Sequence, residues 1–389
     1  MRISSITLAV LVLGGCARTS LLPPDGSTPS TTGPGQGGDS NPGGTFGSGG
    51  RPGSGGSSNP GASSGQGGVT ASGGIAGMGG SAGASSPGDM VAIFPVVGES
   101  GPGWQSFSLP SGIITGPDGN IWFTESGTSK IGRMTLDGGL TEYRVLPDGC
   151  YPEGIAAGRD GNVWFTESDC HFVGQVSAAG AVLTVVDPAA IGYETFTVGI
   201  AAGTDGFLYM TEAGGDAIHV LSPSGTGASF PLPDPRGWAA RIVAGPSGGA
   251  WFTEETGNRI GHIAADGTIT EYSIPTANSG PGALAFAPDG SLWFTEQTAN
   301  QISRLVDGKT FTEYVIPSAQ SRPQGLAAAP DGTIWFAEAG TKSIARVGPA
   351  GVITEYPLPA DSSMPSDITV AADGTVWFIT GDAIGRLRP

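Results

Sequence analysis

An aromatic pair with a short polar ending occurs seven times between residues 121 and 380. The first copy is Trp122-Phe123-Thr124-Glu125. It returns as Trp164-Phe165-Thr166-Glu167, Tyr209-Met210-Thr211-Glu212, Trp251-Phe252-Thr253-Glu254, Trp293-Phe294-Thr295-Glu296, Trp335-Phe336-Ala337-Glu338 and Trp377-Phe378-Ile379-Thr380. Successive copies lie 42, 45, 42, 42, 42 and 42 residues apart. A repeat of about 40–45 residues holding several short strands is one blade of a β-propeller. The spacing therefore predicts an all-β, seven-bladed β-propeller.

Punctuation around each copy divides the blade. In the first unit Gly112 to Thr115 precedes the turn Pro117-Asp118-Gly119-Asn120, and the aromatic strand ends at Glu125. Lys130 to Thr135, the turn Asp137-Gly138-Gly139 and Leu140 to Val145 complete the unit. Asp-Gly turns supply the positive φ that a tight hairpin needs, so each unit reads as four strands joined in a meander. Side chains alternate along a strand, which sends Trp122 and Thr124 to one face and Phe123 and Glu125 to the other. Aromatics recurring once per unit are expected to pack between neighbouring blades rather than to form a ligand platform.

A ring must close. The last unit stops at Pro389 after only three strands, whereas Val91 to Val96 resembles the fourth strand Ile353 to Leu358 of the unit before it. The amino-terminal strand is expected to complete the carboxy-terminal blade and so remove the open sheet edges. The propeller then spans residues 90–389.

The amino terminus has a different character. Arg2, the apolar run Ile6 to Leu13 and Leu13-Gly14-Gly15-Cys16 resemble a bacterial lipoprotein signal, with Cys16 as the lipidated residue after cleavage. Residues 17–89 are dominated by Gly, Ser, Pro and Thr, a composition that cannot offset its ordering entropy, and they read as a disordered linker. A coil of that length spans roughly 45–50 Å. The expectation is a monomer in the cell envelope, tied to a membrane through its lipid anchor only. A net charge of -17 argues against a nucleic-acid partner. Of three cysteines, Cys16 belongs to the signal, leaving Cys150 and Cys170 in two loops on one side of blade 2, as a disulfide or as two thiols.

Candidate functional residues follow from position in the repeat. Eleven residues before each aromatic lie Ser111, Glu153, Val198, Ala240, Gly282, Gln324 and Ser366, which should face the top of the central channel. Glu153 and Gln324 are candidate ligand contacts there. Two residues ahead of this slot, Tyr151, Phe196 and Trp238 could stack on a flat or sugar-like ligand, or cap the core beneath short loops. Glu125, Glu167, Glu254 and Glu296, with Glu212 and Glu338, end the aromatic strands. They could hold a hard cation through oxygen ligands or serve as structural acceptors. His171, His219 and His262 occupy different heights of the repeat and form no acid–base cluster.

The ordered recurrence of turn, aromatic pair, Ile-Gly and Thr-Glu-Tyr resembles the virginiamycin B lyase family. Asp289 to Glu296, Asn258-Arg259-Ile260-Gly261 and Gly267 to Tyr272 illustrate it. The resemblance implies a seven-bladed propeller and a magnesium-dependent elimination that opens a cyclic depsipeptide of the streptogramin B type. It also implies two catalytic histidines and two catalytic glutamates. Their positions here hold Gln324 and Ser366, and Met364 and Thr380. The expectation is a propeller that binds a small molecule, glycan or peptide on its top face, with no catalytic residue kept. The alternative is an active metal-dependent lyase or hydrolase.

Overall fold

The computed structural model describes residues 90–389 apart from 99, 102, 103, 106, 107, 146–149, 169, 171, 187–196, 213–216 and 349. Cys16, the linker 17–89, His171 and Phe196 lie outside the described residues. Seven four-stranded antiparallel sheets follow one another along the chain. Blade 1 is built from Pro110–Thr115, Ile121–Glu125, Lys130–Met134 and Leu140–Arg144, in that spatial order from the central channel outward. Blades 2 to 6 repeat this meander.

Blade 7 takes its outer strand from the other end of the chain. Val91–Pro95 pairs antiparallel with Ala383–Leu387, Val91 opposite Leu387 and Pro95 opposite Ala383. Phe94 stacks on Trp377 with ring centroids 5.7 Å apart, and the Arg386 guanidinium sits 5.1 Å from the Phe94 ring centre. A second lock joins the inner strands of blades 7 and 1. Thr115 donates its amide to Thr369 Oγ1 at 3.1 Å and its hydroxyl to the Val370 carbonyl at 3.1 Å, while the Ile113 amide reaches Asp367.

The core lies between blades. Among the described residues it divides into seven clusters, each combining the first aromatic-site residue of one blade with the second of the next. Trp122 packs with Phe165, Trp293 with Phe336, Trp335 with Phe378 and Trp377 with Phe123. This is why Ile121–Glu125 is buried along its whole length. The glycine of the Ile-Gly pair has the same origin. A Cβ on Gly132 would lie 2.2 Å from the Phe123 ring.

Fourth-strand aromatics finish six of the seams. Tyr143 stacks on Trp122 at 5.6 Å, Tyr272 on Trp251 at 5.4 Å and Tyr314 on Trp293 at 5.3 Å. In blade 1 the Pro-Asp-Gly turn fastens the Trp122 ring from the other end. Asp118 accepts hydrogen bonds from Trp122 Nε1 at 2.9 Å and Arg133 Nε at 2.7 Å, and Arg133 in turn lies over the indole. Burial would raise the Asp118 pKa, but hydrogen bonds from Trp122, Asn120 and Arg133 outweigh it and lower it to about 2.

Ring closure through Phe94 gives a direct test. Phe94→Ala removes the stack on Trp377 and leaves a cavity at the one seam made by two chain ends. It is expected to lower unfolding free energy by ~3–5 kcal/mol, read from urea denaturation. A change under ~1 kcal/mol, within the range of ordinary surface substitutions, would place the closing strand outside the ring's core.

Candidate functional site

The top of the channel is shaped by a bulge at the start of every inner strand. The register slips between Pro110 and Ile113 in blade 1, and at the same place in the others. A bulge leaves an amide without a ladder partner, and the repeated threonine supplies one. Thr124 Oγ1 accepts the Gly112 amide at 2.9 Å and donates to the Glu153 carbonyl of blade 2 at 2.9 Å. Thr166 and Thr211 make the same two bonds, and Thr295 donates to the Gln324 carbonyl at 3.1 Å. Threonine therefore fastens each inner strand to the next. Ser111 is likewise absorbed, its hydroxyl lying 2.9 Å from both Thr124 and Ser126.

Blades 6 and 7 depart from this pattern, with Ala337 and Ile379 in place of threonine. A cavity of about 420 Å3 opens there, walled by Leu109 and Pro110 of blade 1, Arg322, Gln324 and Ala339 of blade 6, and residues 364–366, 379, 381 and 382 of blade 7. Leu109 is 54% and Met364 59% exposed, so apolar surface faces the opening. Arg322 is exposed beside them, while Gln324 and Ser366 are half-buried deeper in the wall. Asp382 is its single carboxylate and accepts the Leu109 amide at 3.2 Å.

Of the four positions singled out by family resemblance, Gln324, Met364 and Ser366 share this wall. Thr380 is buried behind it, donating its hydroxyl to the Ser363 carbonyl at 2.7 Å. Tyr151 and Trp238 are exposed on blades 2 and 4, outside this wall, and Glu153 is half-buried on blade 2. The sequence signal that reaches the wall is Ile379, which stands where five other blades have threonine; it points to the cavity only through the bond that threonine makes at the bulge.

The glutamates turn inward within their own blades. Glu125, Glu167, Glu254, Glu296 and Glu338 are all at most 1% exposed. Glu125 accepts a hydrogen bond from Thr128 at 2.9 Å, Glu254 from Arg259 at 3.2 Å, Glu338 from Thr341 at 2.7 Å and Glu296 from Ser303. Glu212 pairs with His219. Among the described residues each of the five has at least one oxygen without a hydrogen-bond partner, and Glu167 has both. Burial, helped by the Glu142 carboxylate, raises the Glu125 pKa to about 8. Burial alone lifts Glu167 to about 7, and it is the main cause for Glu254 and Glu338, also about 7, and for the raised Glu296. Near neutrality Glu125 is therefore mostly protonated, and Glu167, Glu254 and Glu338 carry a large protonated fraction, because burial penalises a carboxylate more than a neutral carboxyl.

Buried and spread over separate blades, these carboxyls do not meet at one point. Among the described residues one set of three metal-type donors converges, Cys150, Glu167 and Cys170, with ligand atoms within 4.8 Å. Its two sulfurs are joined in a disulfide, Cα atoms 5.3 Å apart, which leaves a single carboxyl. Cys170 stands three residues after Glu167, where Thr128 and Thr341 serve Glu125 and Glu338. The top cavity does not suit magnesium either. The ion prefers carboxylates in octahedral geometry, and the wall offers Asp382, already holding an amide, with an amide side chain and a hydroxyl.

Comparisons with known proteins agree on the architecture. The pattern of the virginiamycin B lyase family matches residues 103–293 and 283–389. A solved streptogramin B lyase is 31% identical over 77% of this chain and 97% of its own, with a TM-score of 0.70. Virginiamycin B lyase from Staphylococcus aureus is 29% identical over 77% and 99%, also with a TM-score of 0.70. A catalytically inactive histidine-to-alanine variant of the Staphylococcus aureus enzyme, solved with quinupristin, is 30% identical over 77% and 99%, with a TM-score of 0.68. No curated protein sequence matches significantly.

The buried acids set a pH dependence. Their native pKa values, about 7 to 8 where highest, stand above the ordinary glutamate value of 4.5, so the folded chain holds more protons than the unfolded one across that interval. Stability is then fullest below the unfolded value and falls as pH rises through the native ones. The thermal midpoint is expected to be higher at pH 5 than at pH 8. Glu167→Gln should flatten part of that slope without lowering the midpoint at pH 8. A midpoint that rises from pH 5 to pH 8 would contradict the assignment.

Proposed function

The chain belongs to the virginiamycin B lyase family, and from that premise we propose that it is an exported, lipid-anchored propeller that binds a small molecule, glycan or peptide without the family's elimination. The observation that carries this is the top cavity, which has contact groups and no suited base. Removing a proton from a substrate needs a base within hydrogen-bond reach and a pKa near the working pH. Gln324 is an amide, Met364 a thioether and Ser366 a hydroxyl, and no imidazole lies in the wall. Asp382 is held by the Leu109 amide.

Of the three ligand classes, an apolar peptide-like molecule suits the wall best. Leu109 and Met364 offer apolar surface, and Arg322 and Gln324 offer donors for carbonyl oxygens. Quinupristin, the compound in the structure of the Staphylococcus aureus variant, has that character and is the natural probe. The second reading, a lyase or hydrolase acting on a cyclic depsipeptide, rests on Asp382 as the wall's one carboxylate.

Calorimetric titration of purified protein with quinupristin is expected to show one binding site, weakened about tenfold by Arg322→Ala, the effect of losing one charge-assisted hydrogen bond of ~1.5 kcal/mol. Mass spectrometry after prolonged incubation with magnesium should return the ligand intact. A ring-opened product whose formation stops on adding a chelator would overturn the binding-only reading in favour of the lyase. For the anchor, Cys16→Ala is expected to move the protein from the membrane to the soluble fraction of its host cell; unchanged membrane partition would remove Cys16 as the attachment point.

A further inference from the structure

The seams between blades share one construction. The residue opposite the second position of the third strand is Tyr143 in blade 1, Phe230 in blade 3, Tyr272 in blade 4, Tyr314 in blade 5, Tyr356 in blade 6 and Phe94 in blade 7. Five of these rings are pressed against a hairpin glycine of the following blade. A Cβ on Gly180 would lie 1.9 Å from Tyr143, on Gly267 2.0 Å from Phe230, on Gly308 3.0 Å from Tyr272, on Gly351 2.6 Å from Tyr314 and on Gly138 2.2 Å from Phe94. Each ring is thus clamped between its own blade and the next blade's turn.

Blade 2 breaks the construction. The same register position, opposite Val173, is Val186, which has no ring. The matching hairpin glycine of blade 3, Gly225, has no atom of the described residues within 4 Å of where a Cβ would go. The cation is replaced as well. Arg133, Arg304, Arg346 and Arg386 each lie over the Trp of their blade, whereas the equivalent Gln175 is tied to Asp160. Trp164 is half-buried, as is Trp251, but only Trp251 has a fourth-strand ring stacked on it among the described residues.

A cavity of about 630 Å3 lies at this place, bounded by Trp164 and Asp160 of blade 2, by Leu208 and Leu221, and by the turn 222–225 of blade 3. That volume is within the roughly 300–1,000 Å3 of small-molecule sites. We propose that the seam between blades 2 and 3 is a binding slot for one planar aromatic ring of a small molecule, taken between the Trp164 indole and the turn at Gly225. The other seams show what the slot accepts, since six of them hold a phenyl or phenol ring at this position. A stacked ring gains ~0.5–1.5 kcal/mol beyond its buried area. The slot opens among the hairpins of the face opposite the top cavity, so it stands independently of the function proposed for that cavity.

The probe is 4-methylphenol, the side chain of tyrosine as a free molecule, followed by saturation-transfer NMR on the full chain. It is expected to saturate one site and to show proton contacts to the Trp164 indole, a signal lost in Trp164→Phe. Cyclohexanol, of similar size but not planar, should bind at least fivefold more weakly. Val186→Tyr rebuilds the ring found in the other seams, and it should weaken 4-methylphenol at least tenfold while raising the thermal midpoint. N-acetyltyrosinamide separates the sources of the ring: tenfold tighter binding than 4-methylphenol assigns a peptide-borne ring and overturns the small-molecule form of the proposal, and equal or weaker binding supports it. Absence of saturable 4-methylphenol binding to the unaltered protein, or contacts remote from Trp164, would overturn the site without recourse to any variant.

Discussion

The clamp on the fourth-strand aromatic is the interaction on which the ring depends. A blade alone is a twisted sheet with two apolar faces, and it gains stability only by pressing those faces against neighbours. Trp122 and Tyr143 present a stacked pair to blade 2, which receives it with Phe165 on one strand and Gly180 on a hairpin. Repeated at five seams, this contact sets the spacing between blades and requires a glycine in the hairpin that receives the ring. The closing seam obeys it with pieces from both chain ends, Phe94 on Trp377 against Gly138.

A strict repeat also makes its exceptions informative. Threonine at the end of the aromatic strand serves the inner-strand bulge in five blades, and the top cavity lies where Ala337 and Ile379 replace it. An aromatic residue fills six seams, and the seventh, with Val186, has the roomier cavity. In both places the fold lost a contact that its other copies keep. Among the described residues a cavity lies at each place. That pattern separates positions held by the architecture from positions free of its contacts.

The aromatic pair and its spacing were enough for the blade count, and the missing last strand pointed to Val91 to Val96 as the closing piece, which pairs as expected. Those features are legible because they are local in the repeat. The roles of Thr124 and of the fourth-strand tyrosines were not, because each acts on a neighbouring blade about 30 to 40 residues away, through a carbonyl or a glycine that gives no pattern of its own. The glutamates illustrate the opposite difficulty. Their place at the ends of the aromatic strands left a cation site and a structural role open, and burial, which raises their pKa values, is what the sequence did not show. The sequence positions Gln324, Met364 and Ser366 do converge, but the apolar rim of Leu109 and the cation of Arg322 came from loops with no repeat signature.

These strands meet in one claim, that the family's propeller has been kept here while the top cavity has passed from elimination to binding. A crystal structure of the protein soaked with quinupristin and magnesium tests it most directly. The account predicts an intact macrocycle in the cavity over blades 6, 7 and 1, in contact with Arg322 and Met364. A ring-opened product in that cavity, or a metal ion bridging Asp382 and the ligand, would contradict it.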